Sequence, residues 1–182
     1  MSGGQSAATE SRESDGERTD RIHRNGRLDG REPVTVVGSR ELAVPVHSGE
    51  RDSDGDGGLG VGVDADPETA AWSFRCASGS EIGGPWTGVP VSDLLDAAEA
   101  PDATTHVAVE GDDGYRVCVP VSAALDGLLA HRSAGEPLDA PRFVAPGVSG
   151  VRTGKRVARI DAVALAPETD PEAVEELKLE EK

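Results

Sequence analysis

The sequence predicts an α+β domain of short, mostly antiparallel strands with one or two short helices. Three observations carry that expectation. Short apolar runs recur along the chain, separated by Gly, Asp and Ser turns. Helical spacing shows only at Ser92 to Ala98 and at Val121 to Leu129. Hydrophobic residues make up 36% of the chain and aromatics 3%, so the core must come from Val, Ala and Leu. A length of 182 residues sets the scale of one ordinary domain.

The elements follow in order. Val34 to Val37 and Leu42 to Val46 read as strands about a Gly38-Ser39 turn. Leu59 to Val63 and Ala71 to Cys76 read as two more, after a Gly- and Asp-rich loop over 48–58. Ser92 to Ala98 reads as a helix, with Ser92 as N-cap and Leu94 and Leu95 facing the core. His106 to Glu110 and Tyr115 to Val119 form a hairpin about Gly111-Asp112-Asp113-Gly114. Val121 to Leu129 is expected as helix, and Arg142 to Ala145 and Arg156 to Leu165 as strands. A short helix is expected from Asp170.

Residues 1–32 carry six Arg against seven Asp and Glu, and after Met1 only Ile22 and Leu28 interrupt the polar run as large apolar side chains. Such a segment buries too little surface to offset its ordering entropy, so disorder is expected there. The ordered domain is expected over 33–166, followed by an acidic tail over 167–182.

Net charge is −16, from 34 acidic and 18 basic residues, and only Lys155, Lys178 and Lys182 are lysines. Dense carboxylate with scarce lysine suits a halophilic protein, because molar salt screens the self-repulsion. The melting temperature should therefore fall on dilution to about 0.1 M salt, where the Debye length is about 10 Å. An unchanged melting temperature would remove the argument. A face this acidic excludes general nucleic-acid binding. No apolar stretch approaches the ~20 residues of a membrane helix, so no membrane span is expected. The first thirty residues hold no apolar export core and no twin arginine, which predicts a cytoplasmic protein.

Asp52, Asp54, Asp56 and Gly57 begin like a calcium loop. The closing carboxylate position is Val63, so a solvated acidic loop is the reading. The four histidines, His23, His47, His106 and His131, show no metal-ligand spacing. Cys118 alternates with Val117 and Val119 and reads as packing. Cys76 differs: it ends a strand, follows Arg75 and opens the small-residue loop Ala77-Ser78-Gly79-Ser80. A thiolate there is a soft ligand for a transition metal, and Arg75 would lower its pKa if the two meet. A half-buried structural cysteine is the competing reading. Arg142, Arg152, Lys155, Arg156 and Arg159 gather within eighteen positions, interleaved with Gly147, Gly150 and Gly154. That pattern suits an anion. Charge balance against the acidic surface explains it equally well.

Taken in order, these pieces resemble a family. Phe74-Arg75-Cys76-Ala77-Ser78-Gly79, Pro85-Trp86-Thr87-Gly88-Val89-Pro90-Val91 and Leu94-Leu95 are similar to the core signature of the sulfite-oxidase-type molybdopterin oxidoreductases. Asp113-Gly114-Tyr115, Val119-Pro120-Val121, Gly135-Glu136-Pro137-Leu138, Pro141-Arg142, Pro146-Gly147, Lys155 and Arg159-Ile160 continue it. The resemblance implies the sulfite-oxidase-like fold over roughly 33–166. It implies Cys76 as the thiolate ligand of molybdenum, beside a pyranopterin whose dithiolene supplies two further sulfurs. It places Arg75, Arg142, Arg152, Lys155 and Arg156 toward the cofactor and its phosphate. Tyr115 falls in the signature with a catalytic reach or a packing role both open. Oxygen-atom transfer to or from a small sulfite- or sulfoxide-type substrate is implied, with a redox partner to carry the electrons. The segment before Cys76 is shorter than the family's. The alternative is therefore a reduced domain of the same fold, without cofactor, serving as a binding or assembly module.

Overall fold

A computed structural model describes residues 32–46, 65–75 and 79–175. Strands β1 (Val34–Val37) and β2 (Glu41–Val44) form the first hairpin, and β3 (Glu68–Arg75) and β4 (Glu81–Pro90) the second. Helix α1 (Val91–Ala97) leads to β5 (His106–Gly111) and β6 (Arg116–Pro120). A single helical turn, α2 (Val121–Ala124), precedes β7 (Leu128–Ser133), β8 (Glu136–Val144) and β9 (Val157–Val163). A 3-10 turn over Pro171–Val174 closes the described chain.

Two sheets result, of order β2-β1-β9-β5-β6 and β3-β4-β7-β8. Every pairing is antiparallel except β1 with β9. The α+β expectation therefore holds. Pleat alternation sorts the side chains. Val34, Val36, Val107, Val109, Val117, Val119 and Ile160 of the larger sheet share one apolar cluster with Val89, Leu129 and Phe143 of the smaller. Leu94 and Leu95 of α1 complete it, as expected from their spacing. Neighbours of opposite parity, Leu128, Ala130 and Val144, join Phe74 and Trp86 in a second cluster. The smaller sheet is thus apolar on both faces.

Several local expectations need correction. Ser92 does not cap α1. The helix starts one residue earlier, after Pro90, with no side-chain cap, and the Ser92 hydroxyl donates instead to Asp93 Oδ1 at 3.3 Å. The helix expected over Val121 to Leu129 stops after Ala124. At Gly127 an added Cβ would sit 2.9 Å from the carbonyl oxygens of both Ala124 and Val144. The chain turns there, and Leu128-Leu129-Ala130 enters the smaller sheet as a strand buried on both faces. Short apolar runs of this kind have no periodicity that separates helix from strand. Strand β4 was not expected from the sequence, and β8 begins six residues before the Arg142 start expected for it. The strand read at Leu59 to Val63, the acidic 48–58 loop and the disorder expected in the N-terminal segment up to residue 31 lie outside the described residues.

Candidate functional site

Strand β3 carries the chain to Arg75, and Cys76 follows just outside the described residues. What holds that strand is visible. Phe74 stacks on Trp86 with ring centroids 5.5 Å apart. Trp86 Nε1 donates to the Trp72 carbonyl at 3.0 Å, across the β3–β4 pair. The Arg142 guanidinium lies over both rings, 5.1 Å from Phe74 and 5.5 Å from Trp86. Such a cation over two aromatic faces contributes about 0.5–2 kcal/mol where it is partly desolvated. Arg142 Nη2 also donates to the buried Thr153 hydroxyl at 2.8 Å, which donates to the Gly150 carbonyl at 2.8 Å. Arg142 therefore ties the strand that leads to Cys76 to the Gly150–Gly154 loop. Arg75 itself is exposed, opposite Glu81 in the β3–β4 register.

The same loop lies against the β5–β6 turn. Tyr115 donates its hydroxyl hydrogen to the Val151 carbonyl, and the ring packs on the main core. Burial, then the negative charge of Glu175, push the Tyr115 phenol upward, so it stays protonated. Gly154 is held closely: a Cβ would come 2.8 Å from Val109 Cγ1, and its carbonyl accepts from Phe143 N at 2.9 Å.

The cations read together in sequence meet different fates. Arg156 grips Asp112, with Nε to Oδ1 at 2.7 Å and Nη2 to Oδ2 at 2.5 Å. Arg152 Nη2 reaches Glu172 Oε1 at 3.0 Å and Glu175 Oε2 at 3.5 Å. Arg159 Nε pairs with Asp161 Oδ1 at 2.8 Å. Lys155 is exposed and makes no side-chain pair with another described residue. The structure thus brings Tyr115, Arg142, Arg152 and Lys155 to one loop and the strand ends beside it. Arg156 is drawn off onto the Gly111–Gly114 turn.

Sequence reasoning missed the two glutamates on Arg152. Glu175 also accepts the Cys118 backbone N–H at 3.0 Å, and its side chain is only 1% exposed. Cys118 is fully buried, as expected of a packing residue. Burial first, then Glu175, raise its thiol pKa, so it carries little thiolate.

The Asp112–Arg156 pair sets one pH dependence. The Arg156 hydrogen bond, outweighing some desolvation, holds the Asp112 pKa below its ordinary 3.8. A depressed carboxylate contributes stability above its unfolded pKa and loses it as pH falls through the folded one. Asp112→Asn should therefore lower the melting temperature slightly at neutral pH, with the difference closing below pH 3.8. The effect is small because the pair is exposed. Thermal melts of both proteins across that range check it; a difference that widens in acid would contradict the assignment.

A family model described as the oxidoreductase molybdopterin binding domain matches residues 65–169. The chain belongs to this family. The matched span takes in β3, the cation loop and β9, so it contains Cys76 and every aromatic and basic residue of the site above, while Glu172 and Glu175 lie just beyond it. Among solved structures, the sulfane dehydrogenase SoxCD of Paracoccus pantotrophus superposes with a TM-score of 0.61 at 19% identity. The match covers 76% of this chain and 39% of that one, so this molybdopterin-binding domain spans well under half the length of its structural relative. At that identity the likeness establishes the sulfite-oxidase-like fold. No curated protein sequence matches. Among the described residues, no helix is long and apolar enough to cross a membrane.

Proposed function

We propose that this molybdopterin-binding domain holds a molybdenum cofactor through the Cys76 thiolate and works as an oxygen-atom-transfer oxidoreductase on a small sulfite- or sulfoxide-type substrate. The observation that carries the reading is the bracing of β3. Phe74, Trp86 and Arg142 fix the strand whose next residue is Cys76 and link it to the loop that presents Lys155. The donor types suit the group: a soft thiolate for the metal and, in Lys155, an exposed cation that pairs with no other described residue for an anionic pterin tail. When bound, the cofactor would supply the two-electron redox chemistry and would give the oxygen atom to a sulfite-type substrate or take it from a sulfoxide-type one.

The chain's own residues do the rest. Cys76 anchors the metal. Lys155 meets the anionic end of the cofactor, with Arg152 beside it in sequence. Arg142 positions the cysteine-bearing strand and does not itself need to touch the cofactor. The Tyr115 phenol stays protonated and fixes the cation loop through the Val151 carbonyl. A redox partner takes up the two electrons when a sulfite-type substrate is oxidised and supplies them when a sulfoxide-type substrate is reduced, and the site needs no nucleic acid. Domain limits at 33–166, with flanking segments outside the catalytic unit, belong to the same proposal.

One observation favours the second reading, a cofactor-free binding module of the same fold. Arg152 and Arg156 are already paired with carboxylates of the chain itself. Molybdenum and pterin content decide between the two. Protein purified in high salt from a cofactor-making host should carry about one molybdenum per chain under the enzyme reading. Metal-free protein from such a host would leave the binding module standing.

A further inference from the structure

Strand β6 is an edge of the larger sheet, and an edge presents backbone N–H groups that seek acceptors. One of them, on Cys118, is taken by Glu175 Oε1 at 3.0 Å. Glutamate is almost never this buried without a partner. The partner is Arg152, whose Nη2 stands 3.5 Å from the other carboxylate oxygen. The same Nη2 meets exposed Glu172 at 3.0 Å. The turn between is built to present the two acids together. Asp170 accepts from the Glu172 N–H at 2.9 Å, Pro171 stands in the first turn, and the N–H of Glu175, which follows the turn, donates to the Glu172 carbonyl at 3.2 Å. A guanidinium and a sheet-edge N–H therefore converge on one buried carboxylate, from a strand and a loop some distance away in sequence.

These donors are the requirements of an oxyanion in general. We infer that Arg152 and the Cys118 N–H form an oxyanion site, and that Asp170–Glu175 is its internal occupant, a strap that a phosphate monoester displaces. A phosphate carries more charge than one carboxylate and three acceptor oxygens, so it competes for the same guanidinium. Displacement uncovers the Cys118 edge and frees Arg152. The inference rests on the proposed function only in naming a phosphate monoester as the ligand, and it needs no metal.

The test uses the full chain and inorganic phosphate, titrated against chloride at matched ionic strength because screening alone shifts surface pairs. Phosphate affinity is read by calorimetry, and strap release by hydrogen exchange at the Cys118 amide. Glu175→Gln removes the competing charge and should tighten phosphate binding about tenfold, with faster exchange at Cys118. Glu172→Gln, at a 72% exposed side chain that the fold does not need, should act in the same direction and keeps the test valid if Glu175→Gln unfolds. Arg152→Gln should abolish phosphate binding. A pterin monophosphate run in parallel separates the sources: equal affinity marks a general phosphate site, and tighter binding marks the cofactor's own phosphate. Equal phosphate affinity in wild type and both glutamate variants, including no binding in any, overturns the inference. So does undiminished binding in Arg152→Gln. Metal-free protein whose strap still answers to phosphate would sink the enzyme reading alone, and metal-loaded protein whose strap ignores phosphate would sink this one alone.

Discussion

If Cys76 is the metal ligand proposed above, Cys76→Ser should purify without molybdenum and without turnover, while its melting temperature stays close to wild type. A hydroxyl is a hard, weakly acidic donor and does not replace a thiolate on a metal that favours sulfur. The cysteine follows the last residue of β3, and the two apolar clusters of the described residues are built from other side chains, so its loss should leave them intact. Cys118→Ser is the control. It places a hydroxyl at a fully buried position and costs stability, about 1–3 kcal/mol, with metal content retained. Metal analysis separates the two, since under the proposed ligation only the loss of Cys76 removes the molybdenum, and X-ray absorption should show the same sulfur count at the metal in Cys118→Ser as in wild type. Equal metal loading in wild type and Cys76→Ser would move the ligand elsewhere.

The strands that were legible in the sequence are those whose alternation and turns are local. The β5–β6 hairpin shows a buried Val107-Val109 face opposite Val117-Val119 around a Gly-Asp turn, and β1 and β2 flank Gly38-Ser39 in the same way. Strand β4 was not legible because Gly83-Gly84-Pro85 is poor in every local strand signal. Its reason is close approach: at Gly88 a Cβ would sit 2.3 Å from the Leu129 carbonyl oxygen, and at Gly83 2.7 Å from Ser73 Cβ. Both neighbours belong to other strands, so the glycines declare themselves only once β3 and β7 are in place. The site divides similarly. Cys76 stood out through an ordered set of motifs, and the cations through their density. What holds the cations did not, because the partners of Arg152 lie 20 and 23 positions on, and that of Arg156 lies 44 back. Charge density is written in the sequence, whereas charge pairing is written in the fold.

Trp86→Ala should cost about 3–5 kcal/mol, the usual range for emptying an aromatic site in a core. Trp86 is 1% exposed, and its removal takes away the Phe74 stack, half of the Arg142 cation contact and the Nε1 bond to Trp72. For a domain of this size that is a fall in melting temperature of more than about 10 °C. Trp86→Phe keeps a ring under Arg142 and loses mainly the hydrogen bond, at about 1 kcal/mol. Leu129→Ala supplies the comparison that gives the result its meaning. Leu129 is fully buried in the other cluster, and truncating it costs a similar 2–5 kcal/mol without touching β3. If general stability governs cofactor retention, the two alanine variants lose molybdenum in step. If the Trp86–Phe74–Arg142 stack positions the cysteine-bearing strand, Trp86→Ala loses metal at temperatures where both proteins remain folded, and Leu129→Ala does not. Metal content measured well below both melting temperatures distinguishes these outcomes, and equal retention in the two variants would reduce the stack to ordinary core packing.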